Sequence, residues 1–255
     1  MKIASWNVNS LKVRLPHVLQ WLDEAKPDVL GLQETKTIDE KFPEAEISEA
    51  GYHVVYAGQK TYNGVALITK EPATEVFYEI PGIEDTDKRT IGATVNGVRV
   101  VNLYVVNGQE VGAEKYDYKL AWLEHVRKFV EAQQSEYQDI AVMGDFNIAP
   151  GDADIHDPEA WREKILCSTL ERDALQRLLD LGFVDTFRLF DQAPGSFSWW
   201  DYRAAGFRRN KGLRIDLVLA SNSLSERCVE AGIDVEPRRL ERPSDHTPVF
   251  ARFGD

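Results

Sequence analysis

Short runs rich in valine and isoleucine recur along the chain at 29–32, 65–69, 98–106, 140–143, 215–219 and 249–253, and each predicts a strand. Helical spacing lies between some of them. Leu15, Val18, Leu19 and Leu22 keep the i, i+3, i+4, i+7 rhythm of one helix face, and Leu120, Leu123, Val126 and Val130 approximate it. A third helix is predicted to start near Ser168, whose spacing to Glu171 fits a capping box, and to carry Leu175, Leu178 and Leu179. Between Tyr52 and Val106, however, strands follow one another without helices, and Asn63-Gly64 and Asn96-Gly97 are tight-turn signals. A purely parallel doubly wound sheet does not fit that succession. Mixed β-sheets packed on each other with helices outside, an α/β arrangement, accommodate both patterns. Segments 85–88 and 151–158 read as surface loops. No repeat, low-complexity tract or linker divides the chain, so residues 1–255 are expected to form one domain.

Composition narrows the class. The chain has 255 residues, 43 % of them apolar and 28 % charged, which suits a water-soluble globular protein with a sizeable core. No apolar stretch approaches the roughly 20 residues of a membrane span, and the opening MKIASWNVNSL lacks a signal-peptide pattern, so a cytoplasmic protein with no membrane partner is expected. A monomer is the default. The two cysteines, Cys167 and Cys228, supply neither a disulfide framework nor a thiolate zinc site. A net charge of −12 argues against coating nucleic acid by general attraction, so any polyanion must be met locally. One stretch offers that: Arg203, Arg208, Arg209, Lys211 and Arg214 stand without an intervening acid among them, although a solvated surface would read the same way.

Certain polar residues fall where apolar runs end. Asn7 closes the first, Glu34 follows Val-Leu-Gly-Leu-Gln, Tyr104 and Asn107 lie at the end of the third, and Asp145 follows Ala-Val-Met-Gly. Strand ends in layered α/β folds gather such groups onto one rim. In Gly-Asp-Phe-Asn at 144–147, an extended backbone would put Asp145 and Asn147 on one face with Phe146 in the core; the same tetrapeptide also reads as a turn. Ser244-Asp245-His246-Thr247-Pro248 adds a second carboxylate beside a histidine, but a straight strand would point the two apart. Asp216 interrupts a run apolar enough to be buried, where it either bonds a nearby backbone group or orients a histidine. His17, His53, His125 and His156 receive no role.

Collected, these are carboxylates, carboxamides, one phenol and one imidazole. Hard oxygen donors without thiolates select Mg²⁺ or Mn²⁺ rather than zinc. No Walker loop, dinucleotide fingerprint, HExxH or GxSxG motif is present. Metal-assisted attack of water on a phosphate ester is the chemistry that this inventory suits.

The segments KIASWNVNSLKVR, LQETK, YNGVALI, LYVVNGQ, KLAWL, GDFNIAP, DTFR, FSWWDYR, GLRIDLVLAS and RPSDHTPVFARF span nearly the whole chain. In that order they resemble the endonuclease/exonuclease/phosphatase superfamily, and within it the exonuclease III type of abasic-site DNA endonuclease. The resemblance implies a four-layered α/β sandwich, with two mixed β-sheets face to face and helices outside. It implies Glu34 as principal metal ligand, helped by Asn7 and Asp245. Asp145 would handle the attacking water or the leaving-group proton, with Asn147 orienting it, while His246, held by Asp216, and Tyr104 contact the phosphate. Either Asp145 or His246 would be the base. By similarity, Trp199 with Leu213 and Ile215 walls a pocket for a flipped-out abasic sugar, and Trp200 is the core member of the pair. Asn107, Arg203, Arg208, Arg209 and Lys211 would contact DNA. The implied substrate is double-stranded DNA with abasic sites or blocked 3′ ends, cleaved with Mg²⁺, Mn²⁺ being the alternative. The Tyr104–Gly108 stretch departs from many relatives, which leaves the balance of endonuclease and 3′-exonuclease action open. A phosphoesterase acting on inositol phosphate or lipid, and a non-catalytic DNA-binding module, are the competing readings. Recruitment of partners through a long N-terminal extension is not expected.

Overall fold

A computed structural model describes residues 1–84 and 86–254. In chain order the strands are β1 (Lys2–Asn7), β2 (Val29–Gln33), β3 (His53–Ala57), β4 (Val65–Thr69), β5 (Thr74–Phe77), β6 (Thr90–Val95), β7 (Val98–Tyr104), β8 (Ile140–Asp145), β9 (Phe183–Asp185), β10 (Trp199–Trp200), β11 (Gly212–Leu213), β12 (Asp216–Ser221), β13 (Cys228–Ile233) and β14 (Val249–Phe253). The helices are α1 (Leu11–Ala25), α2 (Glu44–Glu49), α3 (Glu114–Gln133), α4 (Pro158–Trp161), α5 (Thr169–Leu179) and α6 (Asn222–Ser225). Two six-stranded sheets form, ordered β13-β14-β1-β2-β4-β3 and β5-β6-β7-β8-β12-β9. Each is mixed: β1 runs parallel to β2 and β7 parallel to β8, while their other neighbours are antiparallel.

Alternation along the strands sets the layers. Ile3, Val29 and Leu67 of the first sheet meet Val100, Met143 and Val218 of the second in a central core. Their neighbours Ala4, Trp6 and Leu30 face Val18, Trp21 and Leu22 of α1. On the far side, Val101, Leu103 and Val142 face Trp122, Val126 and Val130 of α3 and Leu175 and Leu178 of α5. Helices, sheet, sheet and helices thus make the four-layered α/β sandwich that the sequence implied. Because both faces of each sheet are covered, central strands such as β2 and β8 are buried at every residue and read as continuous apolar runs.

Local signals are met with some differences. Ser168 caps α5, with its side chain accepting from Glu171 N–H while Glu171 reaches back to Ser168. Asn96 and Gly97, at φ 50° and 80°, join β6 to β7 as a two-residue hairpin. Asn63-Gly64 is also left-handed but forms no two-residue turn: it ends the longer loop between the antiparallel β3 and β4, and its carbonyls accept from Lys36 and Thr35 N–H, tying that loop to the chain after β2. The run 98–106 leaves the β6 ladder after Tyr104, and Val105 N–H turns to Asp145 O at 2.9 Å. Segment 151–158 is only partly a surface loop, because Asp154 and Ile155 are buried and Asp154 holds Arg214. Of 85–88, Asp85 lies outside the described residues, and Thr86 and Asp87 are exposed.

Candidate active site

Strand direction brings the polar ends together. Parallel pairing sets Asn7 beside Gln33, so Asn7 and Glu34 leave the first sheet at one edge. In the second sheet Tyr104 pairs with Asp145, and antiparallel β12 begins with Asp216 opposite Asp145. The Ser244–His246 segment reaches the same rim because β14 runs antiparallel to β1, and Ser244 Oγ donates to Asn7 O at 2.7 Å. The rim therefore draws on both sheets.

At its centre, single ligand atoms of Glu34, Asp145 and His246 lie within 4.8 Å of one another. The Asn7 amide donates to Glu34 Oε1 and Asp145 Oδ2, both at 2.8 Å. His246 Nδ1 donates to Asp216, at 2.9 Å to Oδ2 and 3.1 Å to Oδ1, which turns Nε2 toward Asp145 Oδ2 at 3.7 Å. Asp216 Oδ2 also accepts from Ser198 Oγ at 2.6 Å. Of the two readings of Asp216, orientation of a histidine is the one realised.

Gly-Asp-Phe-Asn reaches convergence by a turn rather than by strand alternation. The strand ends at Asp145, Asn147 is left-handed at φ 50°, and Asn147 N–H donates to Asp145 Oδ1 at 2.9 Å. Phe146 is wholly buried, as expected. Gly144, at φ 149°, cannot carry a side chain, since a Cβ would stand 1.9 Å from Leu103 O. Asn147 Nδ2 donates to Val105 O and its Oδ1 accepts from Asn107 Nδ2 at 3.1 Å, so Asn107 braces Asn147.

Electrostatics separate the roles. Burial, reinforced by Asp216 and Glu34 against the pull of His246 and Asn7, pushes Asp145 up to about 7. Burial alone would lower the imidazole, but Asp216 and Asp145 outweigh it and hold His246 up at about 10, as an imidazolium. Burial and the Glu34 and Asp145 charges raise the Tyr104 phenol well above its ordinary range, so it stays a donor.

Asp245 stands apart from the Glu34–Asp145–His246 group. Its Oδ1 accepts from Asn9 Nδ2 at 2.9 Å and its Oδ2 from Trp199 Nε1 at 3.0 Å. Burial raises its carboxyl, but His246 and those donors prevail and leave it below the ordinary range. Sequence reasoning missed Asn9 and Lys36. Lys36 Nζ lies 2.9 Å from Glu34 Oε2 and donates to Asn9 Oδ1 at 2.6 Å. Their positions within Asn-Val-Asn and Glu-Thr-Lys were the available signal.

Trp199 is half-buried beside the site and Trp200 is buried, as read from sequence. Leu213 and Ile215, at 0 % and 2 % exposure, pack against Trp199 together with Ile155 and Leu166. Arg203, Arg208, Arg209 and Lys211 are exposed on the loop between β10 and β11. Arg214 is not part of that surface: it is buried, with Nε on Asp154 Oδ1 at 2.7 Å and Nη2 on Asp185 Oδ2 at 2.6 Å. A buried guanidinium between two carboxylates serves packing rather than phosphate.

The profile of the Endonuclease/Exonuclease/phosphatase family matches residues 4–246. The chain is 41 % identical to exodeoxyribonuclease III of Haemophilus influenzae, over 99 % of this chain and 100 % of that protein. Among solved structures, it matches the 3′-5′ exonuclease NExo from Neisseria meningitidis with a TM-score of 0.98 and 46 % identity, covering 100 % of both chains. An AP endonuclease from Archaeoglobus fulgidus matches with a TM-score of 0.96 and 39 % identity, again over 100 % of both.

Proposed function

This chain belongs to the endonuclease/exonuclease/phosphatase family, and we propose that it is a metal-dependent DNA-repair nuclease that cleaves 5′ to abasic sites and trims 3′ ends of duplex DNA. The observation that carries this reading is the buried imidazole of His246, held between Asp216 and Asp145 beside Glu34. The donors fit a small hard divalent cation: Glu34 and Asp145 offer carboxylate oxygens, while His246, charged and committed to Asp216, has no lone pair to give. Mg²⁺ suits such oxygens best, and Mn²⁺ serves as substitute. When bound, the ion draws charge from phosphate oxygens and eases departure of the 3′-oxygen.

The chain's own groups divide the remaining work. Asp145, raised toward neutrality and fixed by Asn147, takes the proton of the attacking water, while Asp216 and Asp145 favour the charged form of His246 and so its role as donor. His246 Nε2 and Tyr104 donate to nonbridging oxygens as charge builds on the phosphorus centre. Asn7 keeps Glu34 and Asp145 at a fixed separation, and Asp245, through Asn9 and Trp199, steadies the rim instead of holding the ion directly. The exposed Arg203, Arg208, Arg209 and Lys211 meet DNA phosphates against an overall charge of −12. Trp199 offers its free face to the abasic sugar. Its setting in this reading is the reducing cytoplasm, with which the free thiols of Cys167 and Cys228 accord, and it acts as one domain and a monomer.

A labelled duplex with one tetrahydrofuran abasic analogue, and a second ending in a 3′-phosphate, test the proposal with and without EDTA. Incision 5′ to the analogue and release of the 3′-phosphate, both abolished by EDTA, are expected. Indifference to both duplexes, or turnover of inositol phosphates instead, overturns it.

A further inference from the structure

Below the rim lies a buried charge to which the chemistry above gives no task. Lys119, on α3 within Lys-Leu-Ala-Trp-Leu, is fully buried. Its ammonium donates to the backbone oxygens of Asn147 at 2.7 Å and Asn107 at 3.1 Å and to Glu171 Oε1. Three N–H bonds thus find three acceptors. Glu171 is equally committed, accepting from Leu166 N–H at 3.1 Å, Ser168 N–H at 3.1 Å and Ser168 Oγ at 2.6 Å. A buried ion pair is an ineffective way to stabilise a fold, because desolvation offsets the attraction. What this one does is local: both carbonyls belong to the chain just beyond β7 and β8. The left-handed Asn147 turns its C=O down to Lys119 and its N–H up to Asp145 Oδ1, at 2.9 Å.

We propose that Lys119 is a positioning residue: neutralised by Glu171, it pins the Asn107 and Asn147 carbonyls and so fixes the turn that aims the Asp145 carboxylate. The inference rests on the nuclease reading. It assigns to α3, a helix on the outer layer, a direct hold on the reacting end of β8. A merely structural pair would matter through the fold alone.

The double variant Lys119→Met/Glu171→Gln separates the two. It removes both charges, and glutamine keeps the α5 capping box. We expect a melting temperature near that of the parent chain, a kcat on the abasic duplex lowered about 10- to 100-fold, and KM little changed. Glu171→Gln alone, which leaves the ammonium on both carbonyls, should melt earlier yet keep kcat within about threefold. Full kcat in a folded double variant overturns the inference, as does a kcat loss in Glu171→Gln as large as in the pair. Should the double variant not fold, Glu171→Gln decides alone: kcat retained supports the role, kcat lost overturns it. A parent chain inert on the duplex would instead sink the nuclease reading.

Discussion

Asp216→Asn removes a charge while leaving nearly the same shape. The amide oxygen can still accept from His246 Nδ1, now 2.9 Å from Asp216 Oδ2, so the ring keeps its place. What changes is its proton. Raising the imidazole from 6.5 to about 10 corresponds to about 5 kcal/mol in favour of the charged ring, at roughly 1.4 kcal/mol per tenfold change in proton affinity. Asp216 is the largest contribution in that direction, and burial opposes it. Without the carboxylate, burial prevails and His246 is neutral at about pH 7.5. The phosphate then loses a charged donor, and cleavage should slow by about 10²- to 10⁴-fold. The sign of the pH response distinguishes this cause from a packing defect. As pH falls toward about 6 the variant ring regains its proton, so its deficit against the parent chain narrows; as pH rises the deficit widens until the parent ring also deprotonates near 10. Single-turnover incision of the abasic duplex across pH, paired with an NMR titration of the His246 ring, reads both quantities. A slow variant whose imidazole still titrates near 10, or a deficit constant with pH, would refute the reasoning.

Asp145→Asn should lower incision by at least about 10²-fold without lowering the melting temperature, since it removes a carboxylate that burial already disfavours; near-normal incision would remove Asp145 from the mechanism. Arg208→Ala and Arg209→Ala should each weaken duplex binding at every sequence and reduce the slope of log affinity against log salt by about 0.9, and an unchanged slope would show that the loop does not meet phosphate. Arg214→Met leaves Asp185 without its ion-pair partner and Asp154 with Arg188 alone, so urea denaturation should report about 3 kcal/mol of lost stability; a loss below about 1 kcal/mol would contradict the pairing seen here.

Most of the layer architecture was legible because strands covered on both faces leave continuous apolar runs, and helices covered on one face leave a stripe. The capping box at Ser168 and the hairpin at Asn96-Gly97 were equally plain, since each depends on neighbours in sequence. The convergence of Glu34, Asp145, Asp216 and His246 was legible because a carboxylate that ends or interrupts an apolar run, or an imidazole just before one, is conspicuous. Errors arose where a side chain's meaning depends on distant partners. Arg214 belongs to a basic stretch in sequence but is claimed by Asp154 and Asp185 from two other segments. Asp245 adjoins His246 along the chain, yet at the bend there its carboxylate turns to Asn9 and Trp199. Leu213 and Ile215 meet Trp199 as the sequence suggests, but how deeply all three pack depends on Ile155 and Leu166 from another segment. Lys119 carries no distinguishing signal in sequence, and only tertiary contact reveals that its charge is spent inside.

Strand β14 takes an interior position beside β1, and His246 lies just before it. Ser244 and Asn7, 237 positions apart in sequence, therefore meet only when β14 docks against β1. Closing that sheet and assembling the polar rim are one event, so loosening the β1–β14 seam would scatter the rim's side chains before it unfolded the rest of the sandwich.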